Sequence, residues 1–172
     1  MATTSKTKKA AATSPTTLRE GDDAPSFTLP SDAGTDVSLG DFAGSWLVLY
    51  FYPRDSTPGC TRQAQAFRDH LAELEKRNAK VVGVSRDSIA SHCKFRDAHE
   101  LSFPLLSDRD AKVHEAYGAF GEKTMYGKKI LGALRTTVIV SPEGKVARVF
   151  ANVKVPGHAE AVLAALDELA KA

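Results

Sequence analysis

Trp46-Leu47-Val48-Leu49-Tyr50-Phe51-Tyr52, followed by Pro53-Arg54-Asp55-Ser56-Thr57-Pro58-Gly59-Cys60-Thr61, is the stretch on which the fold turns. The first seven residues form an unbroken apolar run, the pattern of a strand covered on both faces of a sheet. A helical pattern follows from about Gly59 to Arg77. Ala64, Phe67, Leu71 and Leu74 recur at three- and four-residue spacings, with Arg68, Asp69, Glu73 and Lys76 on the other side. Cys60 therefore falls in the first turn of a helix, where unpaired N–H groups and the positive end of the helix dipole favour thiolate over thiol. A thiolate is a nucleophile. The plainer reading is a buried cysteine filling a gap, but such a filler does not need Pro58 and Gly59, which bring the backbone close at the junction.

Working outward, strand and helix signals alternate from Leu18 onward. Ser26 to Leu29 is a short strand candidate. Lys80 to Ser85 is a second buried strand, and Ser88 caps a helix running to about His99. Phe103 to Leu106 predicts a further strand, and Asp108 begins a short helix through Tyr117. Gly121 to Leu134, rich in Gly and Lys around Met125 and Tyr126, fits neither period and is an atypical segment. Thr136 to Val140 and Val146 to Phe150 flank Pro142-Glu143-Gly144-Lys145, a turn between antiparallel strands. Ala159 to Leu169 predicts an amphipathic closing helix. A β-α-β start, a central mixed sheet flanked by helices and a closing β-β-α unit describe an α/β chain of the thioredoxin fold with an N-terminal extension.

The chain has 172 residues, 42% hydrophobic and 26% charged, which suits one compact domain over residues 18–172. Its net charge of +2 is uneven: residues 1–19 carry Lys6, Lys8, Lys9 and Arg19 with no acid, leaving the remainder slightly acidic. Residues 1–17 lack large apolar side chains apart from Met1 and are expected to form a disordered basic tail. Three lysines without interleaved aromatics read as a solubilising extension, so no nucleic-acid partner is expected. The longest apolar run is too short to cross a bilayer and the start lacks the apolar core of a secretory signal, so a cytoplasmic protein with no membrane association is expected. Two cysteines, Cys60 and Cys93, cannot build a disulfide framework, and neither belongs to a CxxC pair that would point to zinc. Redox or catalytic use is the better reading.

The loop after the central strand of a thioredoxin fold is where cysteine redox chemistry sits. A dithiol oxidoreductase would read Cys-x-x-Cys there, whereas this chain reads Thr57-x-x-Cys60. A hydroxyl in place of the exchange partner argues for a reaction that needs a hydrogen-bonding group beside a lone thiolate.

Tyr52-Pro53-Arg54-Asp55-Ser56-Thr57-Pro58-Gly59-Cys60-Thr61 resembles the active-site motif of the peroxiredoxin Q, or bacterioferritin comigratory protein, group of peroxiredoxins. The resemblance runs from about Leu18 to the C-terminus. It includes Gly83-Val84-Ser85-Arg86-Asp87-Ser88, Phe103-Pro104-Leu105-Leu106-Ser107-Asp108, Met125-Tyr126-Gly127-Lys128 and Arg135-Thr136-Thr137. It implies a thioredoxin fold and reduction of hydrogen peroxide and organic hydroperoxides without metal, haem or other cofactor. It makes Cys60 the peroxidatic cysteine, with Pro53 and Thr57 completing the motif and Arg135 supplying a guanidinium.

The chemistry explains these residue types. Attack of a thiolate on an O–O bond spreads negative charge from sulfur onto two oxygens, so donors and a fixed positive charge are needed around them. Thr57 Oγ, the Cys60 N–H and Arg135 can supply these, and Pro53 can shield the loop from water. The product is a Cys60 sulfenic acid. Many members of the group carry a second cysteine five residues after the first, where this chain has Gln65. Others carry it on the following helix, and there Cys93 is the candidate resolving cysteine, on the flank of a face made by Ile89, His92 and Phe95. On that reading the first turn of the Cys60 helix must unwind to close a Cys60–Cys93 disulfide, and thioredoxin or a similar dithiol recycles it. An external thiol acting on a one-cysteine peroxidase is the alternative. A dithiol-disulfide oxidoreductase and a non-enzymatic interaction protein are the other classes considered. His70, His92, His99, His114 and His158 are read as ordinary surface or face residues, and a monomer is expected.

Overall fold

A computed structural model describes residues 18–171; the disordered tail expected for residues 1–17 lies outside the described residues. The continuous apolar run forms β3 (Trp46–Phe51), preceded by the short pair β1 (Thr28–Pro30) and β2 (Asp36–Ser38). β3 occupies the centre of a five-stranded sheet with β4 (Ala79–Ser85), β5 (Leu105–Ser107), β8 (Thr136–Val140) and β9 (Val146–Phe150), in the order β5-β4-β3-β8-β9. Its neighbours differ in direction: β4 runs parallel from Trp46↔Ala79 to Phe51↔Val84, and β8 antiparallel from Leu47↔Val140 to Phe51↔Thr136. The sheet is therefore mixed, and the thioredoxin fold with its helical flanks is the observed architecture.

Alternation along β3 sends its side chains into two cores. Val48 and Tyr50, with Tyr52 just beyond, meet Ala64 and Phe67 of α1 (Pro58–Asp69), Phe95 of α3 (Ile89–His99) and Val162 and Leu166 of α5 (His158–Lys171). Leu47, Leu49 and Phe51 meet Phe27 and, just past α4 (Lys112–Ala116), Tyr117 on the opposite face. The steps from β3 to β4 and from β4 to β5 move the same way across the sheet, so right-handed crossovers put α1 and α3 on one face.

Three sequence expectations need correction. The helix expected from Gly59 to Arg77 is interrupted at His70, where ψ rises to 9° and α2 (Leu71–Lys76) starts afresh. The His70 ring Nδ1 lies 2.8 Å from the Ala66 carbonyl and competes with the backbone there. The atypical Gly121–Leu134 segment is a β-hairpin, β6 (Phe120–Met125) and β7 (Lys128–Ala133), closed by Tyr126-Gly127. Both turn residues have positive φ, 52° and 77°, the geometry whose twist suits a two-residue hairpin. The third concerns the histidines: His92, His114 and His158 are buried. His92 and His114 each pair with an aspartate, and His158 bonds Thr137.

Candidate active site

Cys60 sits at the third position of α1, after the N-cap Thr57 and Pro58 at N1, a position where proline gives up no hydrogen bond. Thr61 is the first residue whose N–H reaches an intrahelical carbonyl, that of Thr57 at 2.8 Å. The N–H groups of Gly59 and Cys60 therefore have no acceptor within the helix. The thiol is free and 1% exposed.

The positive charge arrives from the strand next to β3. Because Phe51 pairs with Thr136, the residue before β8 lies beside the point where the chain leaves β3 for the Cys60 loop. That residue is Arg135. Its Nη2 lies 3.4 Å from Cys60 Sγ, and its Nη1 donates to Gln63 Oε1 at 2.6 Å. Gln63 is one helical turn after Cys60, so α1 holds both the thiol and the group that orients its cation. Gly59 admits the guanidinium: a Cβ there would stand 3.3 Å from Arg135 Nη2. His158, hydrogen-bonded to Thr137 Oγ1 at 2.8 Å, has its pKa lowered to about 4 by burial and by the charge of Arg135. Its ring is neutral at pH 7 and so adds no charge beside the guanidinium.

Thr57 and Pro53 frame the loop. The Thr57 hydroxyl donates to the Arg54 carbonyl at 2.8 Å, so its proton is engaged and its oxygen is left as an acceptor. This differs from the donor role expected from sequence. Pro53 is half-buried directly after Tyr52. Tyr50 reaches the same region from β3 and packs on Phe67 with ring centroids 4.8 Å apart. Burial, the neighbouring Cys60 and Asp55 hold its pKa well above the usual tyrosine value. Gly83 makes room for that ring, since a Cβ there would come within 3.0 Å of it.

Cys93 is half-buried on α3, and its Sγ donates to the Asp32 carbonyl at 3.4 Å. Ser91 bonds Asp55 in the Cys60 loop, and Phe95 packs 6.2 Å from the ring of Tyr52. At ~100° per residue, Cys93 is roughly 160° round the helix from both. It therefore faces the Asp32 loop, away from Cys60.

Of the residues expected from sequence, the fold brings Arg135 to Cys60, Thr57 is the N-cap of the Cys60 helix, and Pro53 lies in the loop leading to it. Gln63 escaped the sequence pattern, although three residues is one turn and puts Gln63 on the face of Cys60. So did the Asp55–His92 pair, for which no local signal exists. Among the described residues, no group of His, Cys, Asp or Glu is placed to hold a metal ion, and no helix is long and apolar enough to cross a membrane.

Residues 20–149 match the AhpC/TSA family. Peroxiredoxin Bcp of Xanthomonas campestris is 49% identical over 150 residues, covering 86% of this chain and 94% of that protein. A solved structure of the Xanthomonas campestris bacterioferritin comigratory protein, studied for its alkyl peroxide reduction activity, superposes with a TM-score of 0.79 at 48% identity, covering 83% of this chain and 90% of that one. PrxQ of Xylella fastidiosa superposes with a TM-score of 0.85 at 39% identity, over 90% of this chain and 99% of that one. A helix-start thiol facing an arginine, a thioredoxin fold and likeness along most of the chain agree, and the protein belongs to the AhpC/TSA family, among the Bcp or peroxiredoxin Q peroxiredoxins.

Proposed function

We propose that the protein is a thiol-dependent peroxidase that reduces hydrogen peroxide and organic hydroperoxides through a sulfenic acid on Cys60. The observation that carries this reading is the Arg135 guanidinium 3.4 Å from a buried thiol at a helix N-terminus. The Cys60 thiolate attacks one oxygen of ROOH, the O–O bond breaks, and RO⁻ takes a proton to leave as ROH or water. Two electrons pass from sulfur to the peroxide, leaving Cys60–SOH. Arg135 and the Gly59 and Cys60 N–H groups face the charge that grows on the two oxygens. Thr57 Oγ1 accepts the peroxide O–H and orients it, and Pro53 limits water at the reacting sulfur.

In the second step Cys93 attacks the sulfenic acid, releasing water and forming a Cys60–Cys93 disulfide that thioredoxin or a similar dithiol reduces. Because Cys93 bonds Asp32 on the far side of α3, both the first turn of α1 and the Cys93 side of α3 must rearrange to close this bond. The same observation favours a second reading, in which an external thiol attacks Cys60–SOH directly. A monomeric enzyme of the cytoplasm completes the proposal. Peroxide consumption driven by thioredoxin and its reductase tests it: wild type turns over, while Cys60→Ser is inactive with an unchanged circular dichroism spectrum. Appreciable turnover by Cys60→Ser overturns the assignment.

A further inference from the structure

Asp55 lies inside the loop that presents Cys60, two residues before the N-cap, and it is fastened on every side. Its carboxylate accepts from Tyr52 Oη at 2.6 Å, Ser91 Oγ at 2.8 Å and His92 Nδ1 at 2.7 Å. Its backbone N–H donates to Asp87 Oδ2 at 2.8 Å, an oxygen that also accepts from Ser85 Oγ. The side chains of His92 and Asp55 are 0% and 1% exposed, and the second ring nitrogen of His92 reaches the Leu106 carbonyl at 2.9 Å. One buried group thus ties the loop after β3 to the start of α3 and, through His92, to β5. Nothing in the peroxide-reducing step uses it.

The residue after Asp55 shows what the tie restrains. Ser56 has φ 65°, a left-handed conformation that side chains other than glycine rarely adopt. It joins the anchored Asp55 to Thr57, whose backbone begins α1. Release of Asp55 lets Ser56 relax and the first turn of α1 loosen. Cys60 is 1% exposed, so a second thiol, bulkier than a peroxide, needs that loosening to bring its sulfur to Cys60.

We propose that Asp55, held by His92, Tyr52 and Ser91, is a latch that keeps the Cys60 loop in its peroxide-reactive form and sets how readily the loop opens for a thiol to reach Cys60–SOH. The proposal rests on Cys60 being the reacting thiol and holds whichever thiol follows. While the latch is closed, a second peroxide can still enter and oxidise Cys60–SO⁻ to Cys60–SO₂⁻, releasing ROH. When it opens, a thiol attacks the same sulfur and releases water. Overoxidation and recycling therefore compete, and the latch weights the competition toward overoxidation.

The test measures, by mass spectrometry, the hydrogen peroxide concentration that converts half of Cys60 to sulfinic acid at a fixed concentration of dithiothreitol. Tyr52→Phe and Ser91→Ala each remove one bond to Asp55 and keep the carboxylate–imidazole contact. Both should raise that concentration several-fold, with Asp55→Asn highest where it folds, and amide exchange over residues 54–61 should quicken. Val146→Ala, a core truncation on β9, serves as a control for general loosening. An unshifted concentration in both single-bond variants, or an equal shift in Val146→Ala, overturns the latch while leaving Cys60 as the reacting thiol. If wild type forms no oxidised Cys60 at any peroxide level, the latch and the proposed function fall together.

Discussion

Arg135 Nη2 stands 3.4 Å from Cys60 Sγ although 75 residues separate the two in sequence. The contact is a product of strand register: the antiparallel Phe51↔Thr136 pair puts the residue before β8 beside the exit from β3. Gln63 then fixes the other guanidinium nitrogen, and Gly59 leaves room for it. In the proposed reaction this arrangement puts guanidinium donors beside the oxygens that take up charge as the O–O bond breaks.

Arg135→Met keeps the bulk and removes the charge and both donors. The rate of Cys60 oxidation, followed by stopped-flow competition against a reference peroxidase, should fall by roughly 10²-fold or more, the scale of losing a donor aimed at a transition-state oxygen. Gln63→Leu leaves the guanidinium in place but unoriented and should cost less, about tenfold. Equal rates in all three proteins would show that the guanidinium does not serve the reaction.

Gly59→Ala tests the close approach separately. The added methyl stands at 3.3 Å from Nη2, so the guanidinium must shift by a few tenths of an ångström. The rate should drop with little change in thermal midpoint, because the substituted position is half-exposed and alanine favours the helix. A large stability loss with an unchanged rate would place the strain in the backbone.

Cys93 divides the two recycling routes. One equivalent of hydrogen peroxide, followed by a non-reducing digest, should yield a Cys60–Cys93 linked peptide if the resolving role holds, since ring closure within one chain outruns pairing between chains. Cys93→Ser should then keep the fast first turnover, recycle slowly with thioredoxin and accumulate sulfinic acid. Undiminished recycling in Cys93→Ser would assign the step to an external thiol.

His158 makes stability depend on pH. Its folded pKa of about 4 lies below the ordinary value of 6.5, because burial and Arg135 disfavour the charged ring. The unfolded chain therefore binds the extra proton first as pH falls. This contribution is complete above about pH 6.5, declines between there and about pH 4, and amounts to about 3 kcal/mol at most. Urea unfolding should show wild type losing more stability than His158→Gln across that interval, and parallel curves would count against a neutral buried ring.

Signals confined to a few neighbouring residues are legible in the amino-acid sequence alone. The apolar run of β3, the cap at Ser88 whose Oγ accepts the Ser91 N–H, and Cys60 in the first turn of a helix each depend on local spacing. The Tyr126-Gly127 hairpin is not legible there because alternation is weak: Ile130 and Leu131, adjacent on β7, are both exposed, and Tyr126 is 99% exposed. The break at His70 is hidden because apolar spacing runs straight through it, while a ring nitrogen on the Ala66 carbonyl competes with the backbone.

Tertiary structure alone decided which distant groups became partners. Asp55 and His92 are 37 residues apart and meet because the loop after β3, which holds Asp55, and the first turn of α3, which holds His92, both follow the same end of the adjacent parallel strands β3 and β4. By the same token, helical phase placed Cys93 on a flank of α3, but only the packing of α3 beside β5 turned that flank toward Asp32. A residue's helix or strand follows from its neighbours along the chain, whereas its partners follow from strand order and helix rotation, which the burial of both sheet faces sets together.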